Sequence, residues 1–167
     1  FVVMDGHHLG IYDSVAFLSF SEDGSRFAYA AKRGANWSIV LDGGEVATYQ
    51  TVSRPSFSPD GSRFGFGARD DGHAFVVIDG EEQERIEGDW RLQQMVFSPD
   101  GSRVAYRFRD TESKINTVFT LDVVDGQILH QVQNVRVGAL MFSPDGHVFT
   151  VHFVEGETLW VVVKPAQ

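Results

Sequence analysis

Apolar residues along this chain fall in short runs punctuated by Gly, Asp, Ser and Pro, and no stretch keeps the period of an amphipathic helix. Two kinds of run recur. Ser38-Ile39-Val40-Leu41, Ala74-Phe75-Val76-Val77-Ile78 and Leu159-Trp160-Val161-Val162-Val163 are apolar at successive positions. Arg26-Phe27-Ala28-Tyr29-Ala30 and Arg63-Phe64-Gly65-Phe66-Gly67 alternate large side chains with very small ones. A strand half-exposed to water alternates apolar with polar, so these runs predict strands buried on both faces. Burial on both faces requires sheets stacked on sheets, with the aromatic side of one filling the small-residue side of the next. The pattern predicts an all-β chain with essentially no helix.

The punctuation is itself periodic. Phe20-Ser21-Glu22-Asp23-Gly24-Ser25-Arg26, Phe57-Ser58-Pro59-Asp60-Gly61-Ser62-Arg63 and Phe97-Ser98-Pro99-Asp100-Gly101-Ser102-Arg103 nearly coincide. A fourth copy, Phe142-Ser143-Pro144-Asp145-Gly146, departs at His147-Val148. The glycines lie 37, 40 and 45 residues apart (24 to 61, 61 to 101, 101 to 146). Met4-Asp5-Gly6, Leu41-Asp42-Gly43, Ile78-Asp79-Gly80 and Val124-Asp125-Gly126 run in phase with them, so one supersecondary unit is used repeatedly. In Ser-Pro-Asp-Gly, Pro supplies a fixed φ, Asp bonds local backbone and Gly takes a positive φ, which together make a type I turn with a glycine bulge. The Asp-Gly pairs are hairpin signals too.

Each unit reads as four strands. In the third these are Gln93–Ser98 (innermost), Arg103–Phe108, Asn116–Asp122 and Gln127–Val132 (outer). Outer strands are the most polar, as Glu84-Arg85-Ile86-Glu87 illustrates, and suit an edge facing water. The expected organisation is one domain over 1–167, with a partial unit at 1–13, full units at 14–50, 51–88 and 89–133, and a partial unit at 134–167. Phe1–Met4 is expected as a third strand and Leu9–Asp13 as an outer one.

The Phe-Ser-Pro-Asp-Gly-Ser-Arg turn followed by a large-small-aromatic strand resembles the repeat of TolB-like propellers, a broadly WD-repeat-like architecture that also caps prolyl-oligopeptidase-like enzymes. The likeness covers nearly the whole chain, although the Gly-His and Trp-Asp dipeptides of true WD repeats are absent as a set. It implies a β-propeller of four-stranded antiparallel blades, about four in this chain. A segment of a larger ring is the expected form, and a closed four-bladed ring using Leu9–Asp13 as clasp is the rival. A chain opening on Phe1 reads as a processed or excised piece, and uncovered blade faces would favour self-association. The family likeness also points to the bacterial periplasm or envelope, which no residue here requires.

Bulk properties narrow the partner. The formal charge of −9 argues against nonspecific nucleic-acid or anionic-membrane binding, and no apolar run approaches the ~20 residues that span a bilayer. The absence of cysteine removes disulfides and thiolate metal sites.

Candidate chemistry separates by end of the blade. The hairpin turns gather Glu22, Asp23, Asp42, Glu45, Asp60, Asp79, Glu81, Glu82, Asp100, Asp125 and Asp145 on one face, where turn chemistry and solubility account for them. The opposite, variable-loop face carries Arg33, Trp37, Arg54, Arg69, Trp90, Arg91, Arg109 and Arg136. Variable loops on a rigid scaffold are the usual place for recognition, and Trp and Arg are enriched at binding hot spots. Packing of both tryptophans under their own loops is an equal reading. The eight residues are the expected contacts for an acidic protein or peptide, or for another domain of a parent.

No catalytic, cofactor or metal site is expected. Most serines belong to turns, and no Gly-x-Ser-x-Gly elbow occurs. His7 and His8 are adjacent on a strand or hairpin and point to opposite faces. The expected function is a non-catalytic interaction scaffold. The alternatives are the substrate-gating propeller of a serine peptidase whose catalytic domain lies elsewhere, and a carbohydrate-binding propeller with Trp37 and Trp90 as stacking platforms.

Overall fold

A computed structural model of the chain describes residues 2–4, 6–114, 116–122, 128–133, 137–145, 148–153 and 159–164. No helix occurs among them. A hairpin of β1 (Val2–Met4) and β2 (His7–Gly10) comes first. Blade I follows as β3 (Ser14–Phe20), β4 (Phe27–Arg33), β5 (Asn36–Leu41) and β6 (Gly44–Tyr49), hydrogen-bonded in that order. Blade II holds β7 (Thr51–Val52), β8 (Ser56–Phe57), β9 (Phe64–Asp70), β10 (His73–Ile78), β11 (Glu81–Glu82) and β12 (Ile86–Glu87). Blade III is β13 (Trp90–Phe97), β14 (Arg103–Asp110), β15 (Asn116–Asp122) and β16 (Ile128–Gln133). The last sheet is β17 (Val137–Phe142), β18 (Val148–Phe153) and β19 (Leu159–Lys164), paired in that order. All pairings are antiparallel, as the repeat predicts for a propeller.

Blade II departs from four unbroken strands. Its inner strand is split into β7 and β8, both paired to β9, because Pro55 has no N–H for the ladder. Across the break Ser53 donates its N–H to Gly67 O and accepts from Gly67 N at its hydroxyl, both at 2.8 Å. The outer strand is split into β11 and β12, with Arg85 laid over the Phe75 ring at 4.4 Å and paired with Glu82. The first outer strand also differs from the expected Leu9–Asp13. With Met4 opposite His7, the turn takes two residues and β2 starts at His7. Tyr12 then folds back over Gly10, and Asp13 N–H already bonds Lys32 O of blade I. Among the described residues β2 pairs with β1 alone, so the clasp of a closed four-bladed ring is not formed.

The core lies between blades rather than within one. Ala28, Ala30 and Ile39 of blade I pack against Phe64, Phe66, Phe75 and Val77 of blade II. Ala74, Val76 and Ile78 of blade II pack against Met95, Phe97, Val104, Tyr106 and Phe108 of blade III. Ala105 of blade III meets Leu140 of the last sheet. In each of the first two contacts the small side of a second strand faces the following blade and the bulky side faces the preceding one. The close approach leaves no room for a methyl group. A Cβ on Gly65 would lie 2.8 Å from Ile78 Cδ1 and 3.0 Å from Met95 Sδ, and one on Gly67 would lie 2.8 Å from Leu92 Cβ.

The repeated turn has one geometry in three copies. Ser21 is buried, donates its hydroxyl to Asp23 Oδ1 at 2.6 Å and accepts the Arg26 N–H at 2.9 Å. Ser58–Asp60 with Arg63, and Ser98–Asp100 with Arg103, repeat these bonds. Gly24, Gly61 and Gly101 all take φ near +70°, at 70°, 70° and 68°. The second marker is tied to the first: Asp42 accepts the Phe27 N–H and pairs with Arg26, and Asp79 does the same for Phe64 and Arg63. Both hairpins therefore share one end of the blade. Turns also meet across blades, where Arg26 donates to Gly61 O at 3.2 Å and lies over the Phe57 ring at 5.5 Å.

Two outcomes follow from this packing and turn chemistry. Gly67→Ala is expected to cost about 1–3 kcal/mol, since Leu92 Cβ has no rotamer that moves it away, and urea denaturation measures it. The Ser21 hydroxyl, then Ser25, hold the Asp23 carboxyl down to about 2, and the Ser58 and Ser98 hydroxyls lower Asp60 and Asp100. Carboxylates with depressed folded-state pKa values stabilise fully above their unfolded pKa and lose that contribution as pH falls through the folded value. The urea midpoint should therefore fall between pH 4 and pH 2, and Asp60→Asn should make that decline shallower.

Candidate functional site

The ends of the blades opposite the repeated turns are built by the β4–β5, β9–β10 and β14–β15 connections and by the segments leading into each inner strand. Register fixes what stands there. Lys32 is opposite Ser14, Arg69 opposite Thr51, and Arg91 opposite Arg109. Lys32, Arg69 and Arg109 each lie six residues beyond the motif arginine (26, 63 and 103), so a cation occupies the same repeat position in three successive blades. Arg91 and Arg136 share another repeat position, six residues before the motif phenylalanine (97 and 142). Arg136 lies outside the described residues.

The expected contacts divide into those engaged within the chain and those left open. Arg33 lies over the Tyr12 ring at 4.5 Å and pairs with Glu45. Trp37 is half-buried in the contact between blades I and II, with Lys32 Nζ 5.9 Å from its ring. Arg54 is exposed and reaches Leu18 O of blade I at 3.4 Å. Arg69 pairs with Asp89 at 2.5 Å, and Thr111 donates its hydroxyl to the same carboxylate. That hydroxyl, with the Arg69 and Arg91 charges, holds Asp89 below the ordinary carboxylate range. Trp90 packs against the blade II–III core and donates its indole N–H to Glu87 O at 3.1 Å.

Arg91 and Arg109 are exposed, face each other across the β13–β14 ladder and make no ion pair among the described residues. Like charges directly opposite in a sheet repel. Arg107, one turn of the pleat inward on the same strand, has its pKa lowered by burial and then by the Arg109 charge. Arg91, Arg107 and Arg109 thus share one face of blade III at its loop end, where Asp89, Asp110 and Glu112 also stand. The signal that brings out Lys32 is the repeat alignment itself, since inspection of the loop sequence alone favours the neighbouring Arg33.

The turn end of the blades is differently made. A cleft of about 390 Å³ between blades I and II is walled by Arg26, Val46, Arg63, Phe64 and Asp79, but both arginines there are held by Asp42 and Asp79. No group of three metal-ligating side chains occurs among the described residues.

No family model and no curated protein matches the chain. Solved structures do match it. One is the β-propeller domain of the Trilobed protease from Pyrococcus furiosus (TM-score 0.57, 13% identity, covering 90% of this chain and 53% of that one). A second is TolB from Acinetobacter baumannii (TM-score 0.52, 20% identity, 91% and 41%). A third is an oligogalacturonate lyase in complex with manganese (TM-score 0.61, 12% identity, 92% and 49%). The chain spans about half, or less, of each of these chains. Likeness at such identities is a likeness of fold, and with the blade geometry it makes this chain a β-propeller of the TolB-like fold.

Proposed function

We propose that the chain is a non-catalytic scaffold that docks a protein or peptide of acidic character, or an acidic face of another domain of its parent, against the loop end of its blades. The observation that carries this reading is the cation repeated at Lys32, Arg69 and Arg109, joined in blade III by Arg91 directly opposite Arg109. In a chain of formal charge −9 these positions run against the overall balance. An incoming carboxylate between Arg91 and Arg109 would relieve their repulsion, whereas it would be turned away from the aspartate-lined turn end. Variable side chains on rigid strands supply a preformed surface, which lowers the ordering cost of binding.

Two other readings draw on the fold. A substrate-gating role beside a serine peptidase domain is favoured by the likeness to the protease propeller, and a parent sequence carrying a Gly-x-Ser-x-Gly elbow would decide for it. A carbohydrate-binding role would use open indole faces, and here Trp37 is half-buried beside Lys32 while Trp90 packs on the core.

Fluorescence anisotropy with a labelled oligoglutamate peptide tests the proposal at low salt. Binding that weakens as salt rises, and that falls at least about tenfold (~1.4 kcal/mol) in Arg91→Glu/Arg109→Glu, is the expected result. Equal affinity of that variant, or no salt-sensitive binding, would contradict it.

A further inference from the structure

Of the three cations at the repeated loop-end position, only Arg69 meets a carboxylate among the described residues. Lys32 lies beside the Trp37 ring, and Arg109 faces Arg91. The carboxylate at Arg69 is that of Asp89, which belongs to no ladder. It stands in the two-residue link, Gly88-Asp89, that joins β12 of blade II to β13 of blade III. Gly88 turns the chain there with φ of 116°. Asp89 O then accepts the Thr111 N–H at 3.0 Å, and the Thr111 hydroxyl donates to Asp89 Oδ2. Both bonds come from the β14–β15 connection, so blade III holds this carboxylate against an arginine of blade II.

The resulting pair is incomplete. Arg69 Nη1 reaches Asp89 Oδ1 at 2.5 Å, yet Arg69 Nε and Asp89 Oδ1 are both buried without a hydrogen-bond partner among the described residues. A guanidinium offers Nε and Nη as a fork that two carboxylate oxygens can take together. Thr111 keeps one Asp89 oxygen for itself, and the fork stays half used. Arg91 stands two residues further on, near enough for its charge to act on the Asp89 carboxyl. The Arg69 and Asp89 side chains are 29% and 41% exposed, which leaves the pair open to exchange with a carboxylate from solvent. A carboxylate therefore already sits beside Arg69 and Arg91, and it is the chain's own.

We propose that Asp89 is an internal occupant of Arg69, displaced by a carboxylate of the acidic partner, and that it restrains affinity at the loop end. The inference rests on the reading of that end as the docking face, and it adds how the face is regulated. Displacement exchanges one ion pair for another, so Arg69 contributes little to binding while Asp89 is present. Once Asp89 is uncharged, the whole fork is free for the partner. The two side chains are thus coupled, and their effects on binding do not add.

Anisotropy with the labelled oligoglutamate peptide at low salt reads this in four chains: wild type, Asp89→Asn, Arg69→Gln and the double variant. Asn retains an oxygen for Thr111 and loses only the charge. Asp89→Asn should bind about fivefold or more tightly than wild type, and that gain should vanish when Arg69→Gln is added. Glu112→Gln removes the same charge from an exposed side chain at the same end and should gain less. A gain that persists beside Arg69→Gln, or that Glu112→Gln matches, is a general effect of charge and overturns the inference, as does no gain. If wild-type binding still falls in Arg91→Glu/Arg109→Glu, such a result leaves the docking reading standing. A peptide that binds none of the chains overturns both. Circular dichroism shows whether each chain is folded, and Asp89→Ser gives the same reading where Asp89→Asn is not.

Discussion

The constraint on which this molecule depends is the close approach of one blade to the next. Dispersion falls off steeply with distance, so stacked sheets gain cohesion only if the bulky side of one meets a side with almost no bulk on the other. Ala28 and Ala30 provide that in blade I, and Gly65 and Gly67 in blade II, where no methyl group fits. Strands that are apolar on both faces, cores that lie between sheets, and blades whose two faces are unlike all follow from it. So does the polarity of the stack, since a column of two-faced blades has a different surface at each end.

The turns hold that stack in register, and their chemistry explains why the most conspicuous residues of the repeat belong to structure. In each of the first three copies the serine satisfies a backbone N–H and positions the aspartate, which in turn fixes the following serine. The arginine pairs with the aspartate of the next hairpin in blades I and II. With those side chains engaged locally, one end of the blades is left with little free chemistry. The opposite end carries side chains that turn formation does not require, and there the sheet tolerates Arg91 against Arg109.

The strands and turns were legible because they rest on local rules: period, φ preferences of Gly and Pro, and a repeat that reports itself several times over. What resisted reading was set by neighbours distant in sequence. The break at Pro55 could be foreseen from its missing N–H, but its repair by Ser53 and Gly67 depends on a strand more than ten residues away. The end of β2 at Gly10, short of Asp13, goes with Tyr12 folding over Gly10 and with Asp13 N–H bonding Lys32 O of blade I. Among the candidate contacts, residue type alone could not separate Arg69, paired with Asp89 at the neighbouring blade, from Arg109, which faces Arg91 across a ladder, because the distinction lies in which distant residue stands beside each. Repeat alignment was the signal that grouped Lys32, Arg69 and Arg109.

The interlocking of blades is tested most directly by a double-mutant cycle across the contact between blades II and III, with Gly65→Ala on one side and Met95→Ala on the other. The added methyl group would lie 2.8 Å from Ile78 Cδ1 of its own blade and 3.0 Å from Met95 Sδ across the contact, so shortening Met95 removes the part of the clash that crosses between blades. Urea denaturation of the two single variants and the double variant should show the pair to be less destabilised than the sum of the singles, by about 0.5–3 kcal/mol. Strict additivity would mean that the two blades do not compete for this space, and would contradict close packing as the interaction that holds the fold together.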